Sequence, residues 1–238
     1  MSAASNPAPG LLLEAAASRY AGRSARQFAS NKLRFDPVFI SLLRDGRLPD
    51  RGTLLDLGCG QGLLLALLLA GRDQFERGSW PRDWQRPPQL VLLGIEIDGE
   101  RAATARRALG DGARVVPADI REAEFPACAV AVLLDVLLYM TEDEQESVLR
   151  KAVDALEPGG LLLVREADAG AGLKFAMTRW GERLMEMGRG QWRDRLHYRS
   201  ASQWIALLSG FGLSVKPVAM SAGTPFANML FVCTKSKG

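Results

Sequence analysis

The sequence predicts an α/β protein built on a doubly wound parallel sheet. Three observations lead there. Apolar runs at 53–57, 90–96, 113–119, 130–135 and 160–166 are near-continuous rather than alternating, as strands covered on both faces require. Helical segments separate them, Leu63–Ala70, Gly99–Leu109 and Glu142–Leu156, and right-handed crossovers turn that alternation into one parallel sheet. A glycine-rich turn, GCGQG at 58–62, joins the first strand to its helix, where open α/β sheets bind ligands.

Taken in order, residues 1–10 are small and proline-containing and read as disordered. From Leu11 to Leu48 the pattern is helical, broken at Pro37 and Pro49, which makes residues 1–50 an N-terminal helical extension and 51–238 the main domain. After the first strand and helix comes GRDQFERGSWPRDWQRPPQ (71–89), an insertion. It reads either as a plain surface loop or as a partner-docking or lid element, because exposed Trp80 and Trp84 are otherwise costly. Thr141 and Glu144 form a capping box at the head of the 142–156 helix, and EPGG (157–160) stops it. Residues 168–198 read as a small helical cap rich in Trp, Met and Arg. Ser200 and Gln203 cap a further helix over 200–212, and strands near 213–219 and 228–234 close the chain.

Composition narrows the function classes. A formal net charge of +3 over 238 residues favours neither nucleic acid nor an anionic membrane. Cys59, Cys128 and Cys233 lie far apart without metal-ligand spacing, so no metal site is expected, and their odd number points to a reducing cytoplasm. The N-terminus has no basic segment followed by a long apolar one. The longest apolar stretches, 62–70 and 129–134, fall short of the roughly 20 residues that span a bilayer.

Gly58, Gly60 and Gly62 stand as GxGxG, with Leu63 where a dinucleotide-binding turn places its third glycine. Asp56 ends the strand just before them, and a carboxylate there repels a pyrophosphate while favouring a cationic ligand. Glu96 ends the next strand, where a carboxylate takes both ribose hydroxyls. Asp119 ends the third and can accept from an adenine amino group, with Ile97 and Ile120 flanking the acids to sandwich the base.

These segments resemble the class I S-adenosylmethionine-dependent methyltransferases. The likeness runs from Thr53 to Glu166 and is carried by DLGCGQG, GIEID, PADI, LLDVLLYM and the PGG-strand signal. It implies a Rossmann-like seven-stranded sheet whose last strand is antiparallel, and S-adenosylmethionine as cofactor. Carried over residue by residue, it implies that the Asp56, Gly58, Gly60 and Gly62 turn receives the methionine moiety. Glu96 would hold the ribose, Asp119 and Ile120 the adenine, and Leu134 and Asp135 the floor near the reacting methyl. One departure is spacing: Glu96 follows Gly62 by 34 residues rather than about 20, and the 71–89 insertion holds the excess. Three short strings, KLRFDPVF (32–39), HYRSASQW (197–204) and GTPFAN (223–228), resemble methyltransferases of aryl-polyene (xanthomonadin-type) pigment pathways, which implies an aromatic or acyl-aromatic acceptor.

Methyl transfer from a sulfonium is an in-line displacement, and a base is needed only when the acceptor must lose a proton. His197, the single histidine, is the candidate general base, and Tyr139 a candidate acceptor or cofactor contact; the alternatives are a helix-flanking histidine satisfied by a backbone group and a core tyrosine. In the cap, Leu173, Met177, Trp180, Leu184 and Met187 fall on one helical stripe, a core face or the wall of a hydrophobic acceptor pocket. Arg179, Arg183, Arg189, Arg193 and Arg195 around it form a solvated face or steer an acidic substrate or acyl-carrier protein. The expected function is methyl transfer to a small or acyl-carrier-linked, hydrophobic or aromatic acceptor. The competing readings are a dinucleotide-dependent oxidoreductase and a non-catalytic methyltransferase-fold module that binds a partner.

Overall fold

The computed structural model describes residues 9–171, 196–220 and 227–237. The chain forms two compact units, Met1–Asp119 and Ile120–Gly238, so the helical extension belongs with the first strands rather than standing apart from them.

Three helices open the first unit, α1 (Pro9–Ser18), α2 (Arg23–Phe35) and α3 (Pro37–Arg44). The α2–α3 break comes from Asp36 and Pro37. The Asp36 carboxylate accepts the Val38 amide at 3.2 Å, and Pro37 occupies the first helical position, where no donor is needed. Parallel strands β1 (Arg51–Leu57), β2 (Gln89–Glu96) and β3 (Arg114–Pro117) follow, with β2 in the middle. Between β1 and β2 runs α4 (Leu63–Glu76), buried on every side from Leu63 to Gly71, as a helix apolar all round its circumference must be. Helix α1 packs against both α2 and α4 and buries Leu12, Ala16 and Ala17. Helix α5 (Gly99–Leu109) leads to β3, and the Asp98 carboxylate caps it by accepting the amides of Glu100 and Arg101 at 3.0 and 3.1 Å.

The 71–89 insertion departs from expectation. Helix α4 continues to Glu76, and Trp80 is only 7% exposed. Its indole nitrogen donates to the Gln85 carbonyl at 2.9 Å, and the half-buried Trp84 stands edge-on with ring centres 5.4 Å apart. The Trp80 ring lies so close to Gly71 that a β-carbon there would sit 3.1 Å from it. The Arg86 guanidinium covers Phe75 at 4.8 Å. The aromatic side chains therefore bury against the end of their own helix and need no partner to cover them.

The second unit contains β4 (Cys128–Leu134), α6 (Glu142–Ala155), β5 (Leu156–Ala167), α7 (Ala201–Gly210), β6 (Leu213–Ala219) and β7 (Asn228–Lys235). Strand β5 is parallel to β4, while β7 is antiparallel to β5 and to β6. The seven strands order as β3-β2-β1-β4-β5-β7-β6, the mixed sheet with an antiparallel last strand that the sequence predicts. Both capping boxes form, Thr141 with Glu144 on α6 and Ser200 with Gln203 on α7. EPGG differs in detail. It lies inside β5, where Gly159 takes φ +77° and the register against β4 shifts between Cys128 and Val130. The strand thus begins directly at the helix end. The cap stripe Leu173–Met187 and the arginines 179–195 lie outside the described residues.

Candidate functional site

At the end of β1 the glycine turn folds onto β2. The amides of Gly58 and Cys59 both donate to the Ile95 carbonyl, at 2.8 and 3.0 Å, and the Gly62 amide donates to the Cys59 carbonyl at 2.8 Å. The Gly60 amide donates to Glu96 Oε2 at 2.8 Å. Two of the glycines answer different needs. Gly60 has φ +58° and open space on the side a β-carbon would occupy, so its bare backbone faces outward. Gly62, at φ +76°, closes against α5: a β-carbon there would lie 2.9 Å from Leu109 Cδ1.

Two acids back this turn, and neither is a solvated strand end. Asp56 and Glu96 are 4% and 5% exposed. Glu96 Oε1 also accepts the Asp98 amide at 2.9 Å, so backbone donors orient both of its oxygens and leave lone pairs over. Burial pushes the Asp56 carboxyl up to about 7, and the negative charge of Glu96 adds to the effect. The Cys59 thiol is pushed well above its usual range, by burial first and then by Asp56 and Glu96, which keeps it a neutral packing group rather than a nucleophile. The result is a pair of buried acids whose mutual repulsion a cation relieves. Ile97, beside Glu96, is 53% exposed, an apolar face presented next to the acid. Asp119 lies two residues beyond β3 and is half-buried. Ile120, the first residue of the second unit, is buried.

In the second unit the chain leaves β4 at Leu134 and turns at Asp135, the one non-glycine residue with positive φ (57°) among the described residues. Buried β5 charges hold this turn. Arg165, 1% exposed, donates from Nε to Asp135 Oδ1 at 2.9 Å and from Nη2 to Oδ2, while its carbonyl accepts the Asp135 amide at 3.0 Å. Glu166 Oε1 accepts the amides of Val136 and Leu137 at 3.1 and 2.8 Å. A left-handed residue persists only where its surroundings over-determine it, and here three groups do so. The following 3₁₀ turn, Leu137–Tyr139, leaves Tyr139 37% exposed.

His197 lies against this turn. Its amide donates to the Leu138 carbonyl at 2.9 Å. Gln145, fully buried on α6, donates from Nε2 to the carbonyls of Leu137 (3.0 Å), Met140 (3.2 Å) and His197 (3.2 Å). Gln145 Oε1 in turn accepts Arg199 Nε at 2.8 Å. Sequence reasoning missed Arg165, Glu166, Gln145 and Arg199. A signal existed for the first two, since a charged pair closing the apolar run GLLLVRE has nowhere solvated to go if the strand is central.

A family model described as a methyltransferase domain matches residues 23–218. The chain belongs to this methyltransferase family. Among curated relatives, the carboxy-S-adenosyl-L-methionine synthase of Chromohalobacter salexigens is 27% identical over 132 residues, 53% of this chain and 44% of that protein. The aclacinomycin 10-hydroxylase of Streptomyces purpurascens is 30% identical over 166 residues, 66% of this chain and 40% of that one. The chain thus spans less than half the length of either relative. The structure of magnesium protoporphyrin IX methyltransferase from Synechocystis, with bound S-adenosylhomocysteine, superimposes with a TM-score of 0.58 at 18% identity. That match covers 90% of this chain and 88% of that one, and it establishes a shared methyltransferase fold.

The cofactor of the family is S-adenosylmethionine, and the first unit has the chemistry for it. The outward Gly60 backbone leaves room for a ligand at the turn. Gln61 Oε1 is buried without a hydrogen-bond partner among the described residues, an acceptor left over for a donor such as an ammonium. The buried acids oppose a pyrophosphate and suit a cation, which sets aside the dinucleotide reading.

Proposed function

We propose that this methyltransferase moves a methyl group from S-adenosylmethionine to a small, hydrophobic or aromatic acceptor, free or carried on an acyl-carrier protein. On this reading the turn at Asp56, Gly58 and Gly60 receives the methionine end, with Gly62 setting its shape. Glu96 takes the ribose hydroxyls, Asp119 and the apolar Ile97 and Ile120 serve the adenine, and Leu134–Asp135 lies toward the reacting methyl. Bound cofactor supplies an electrophilic methyl on a sulfonium. The chain's own part is to hold the acceptor atom in line and remove its proton. His197 is the proton acceptor, and Tyr139 orients the acceptor through its hydroxyl.

The observation that carries the acceptor assignment is the backbone bond from His197 to Leu138 at 2.9 Å, which supports a joint role for the lone histidine and the exposed Tyr139. Asp135 is not the base on this reading, because Arg165 engages both of its oxygens. The rival partner-binding module drew on exposed tryptophans in the insertion, and the burial of Trp80 removes that ground. The pigment-type strings favour an aromatic acceptor; 223–226 of them lie outside the described residues. Among the described residues no helix is long and apolar enough to cross a membrane, and three free cysteines suit a reducing, cytoplasmic setting. The net charge of +3 favours neither nucleic acid nor membrane as partner.

The experiment is a screen of cell extracts with cofactor carrying a deuterated methyl, read by mass spectrometry. The expected result is a product carrying that label, formed more slowly by His197→Ala. If no extract gives a labelled product, methyl transfer is refuted, and a His197→Ala protein with full turnover removes the base.

A further inference from the structure

We propose that Tyr20 is a positioning residue for the cofactor turn: from the N-terminal extension, its hydroxyl fixes the Gln61 peptide against which the methionine end of S-adenosylmethionine binds. This rests on the reading above that the turn receives the methionine end.

Gly58 and Cys59 are tied to Ile95, the Gly60 amide to Glu96, and the Gly62 amide to Cys59, all partners from the turn itself or from β2. The Gln61 carbonyl is different. It accepts the Tyr20 hydroxyl at 2.9 Å, from a residue 41 positions earlier in the chain. Gln61 is also flanked by Gly60 and Gly62, both at positive φ, where the backbone has the most freedom. The Gln61–Gly62 peptide, whose amide donates to Cys59 inside the turn, is thus the one that is also pinned from outside, through its carbonyl.

Tyr20 is built to hold it. The side chain is 3% exposed, and its own amide donates to the Ala17 carbonyl at 3.2 Å at the end of α1. Its neighbour Arg19 is bound to Asp73 of α4 at 2.6 Å. Burial above all drives the phenol upward in pKa, so it stays a proton donor at any physiological pH. A phenylalanine would fill the same space without the hydrogen bond, so the oxygen carries the effect. A turn fixed before binding loses less freedom when the ligand arrives.

The test is calorimetry on Tyr20→Phe with two probes. S-adenosylhomocysteine has the amino-acid end; 5′-methylthioadenosine shares the adenosine but lacks it. Tyr20→Phe should bind S-adenosylhomocysteine about tenfold more weakly, the factor that about 1.4 kcal/mol produces, and methylthioadenosine within about twofold of wild type. Arg19→Gln, which loosens the extension but keeps the phenol, should bind both probes like wild type. Amide exchange across 60–62 in the ligand-free protein should be faster in Tyr20→Phe alone. Unchanged S-adenosylhomocysteine binding in Tyr20→Phe overturns the proposal. So does equal weakening of both probes, or an equal loss in Arg19→Gln, each of which means general loosening. A wild-type protein that binds neither probe refutes the cofactor site itself, a separate outcome.

Discussion

Asp56→Asn is the most informative perturbation, because one buried carboxyl links stability, pH and ligand charge. In the folded protein its pKa is about 7, against 3.8 for an ordinary aspartate, with burial the larger cause and Glu96 the second. A carboxyl raised in this way favours the folded state only while protonated. Its contribution is complete below about 3.8 and is lost as pH rises through about 7. That gap corresponds to roughly 4 kcal/mol as an upper bound. Ligand-free Asp56→Asn should therefore be more stable than wild type at pH 8, by up to about 4 kcal/mol, and equal to it near pH 4. Binding has the opposite preference, since a cationic cofactor favours the ionised acid. S-adenosylmethionine should bind wild type roughly fivefold more weakly at pH 6 than at pH 7, and binding at pH 7 should release about half a proton. Calorimetry in buffers of different ionisation heat reads that proton directly. Asp56→Asn should bind weakly, with no proton release and no pH dependence over this range. Wild-type binding that is flat with pH and releases no proton would refute the reasoning.

Other expectations concern structure away from that pocket. Asp135→Ala removes the carboxylate from a guanidinium that is 1% exposed, and should cost about 3–5 kcal/mol in denaturant unfolding. Arg165→Met leaves an aspartate whose side chain is 34% exposed and reachable by water, so its cost should be the smaller of the two; the reverse order would sink the account of that turn. Trp80→Ala should destabilise by about 3 kcal/mol through lost burial and the lost Gln85 bond, yet leave S-adenosylmethionine affinity unchanged. A large affinity loss there would restore a functional role to the insertion.

Much of the fold was legible because the strands are covered on both faces and so lie in uniform apolar runs, and because Thr141, Ser200 and Pro37 punctuate the helices. The cofactor side was legible for a related reason: Asp56 and Glu96 are charges placed where an apolar strand stops. Tyr20 was not, since a hydroxyl reaching a carbonyl 41 residues away leaves no mark in either local pattern. The insertion misled because tryptophan in a polar stretch reads as exposed, whereas its burial depends on Gly71 lacking a side chain one turn inside α4. Gln145 is invisible for the opposite reason, as an ordinary residue in an amphipathic helix whose partners, three carbonyls and the Arg199 guanidinium, belong to other segments.

The consecutive charges at the end of β5 also bear on strand register. CAVAVLL in β4 and GLLLV in β5 are apolar on both faces, so a slip of one residue between them exposes nothing and meets little opposition from burial. The charges supply the missing discrimination. In the observed register Leu134 lies beside Arg165, which sets the guanidinium on Asp135 and the Glu166 carboxylate under two amides. Moved by one position, β5 would bring the Glu166 anion to the aspartate in one direction, or the Arg165 cation to the amide donors in the other. Two buried charges thus act as a key that only one alignment of an otherwise featureless strand pair can turn.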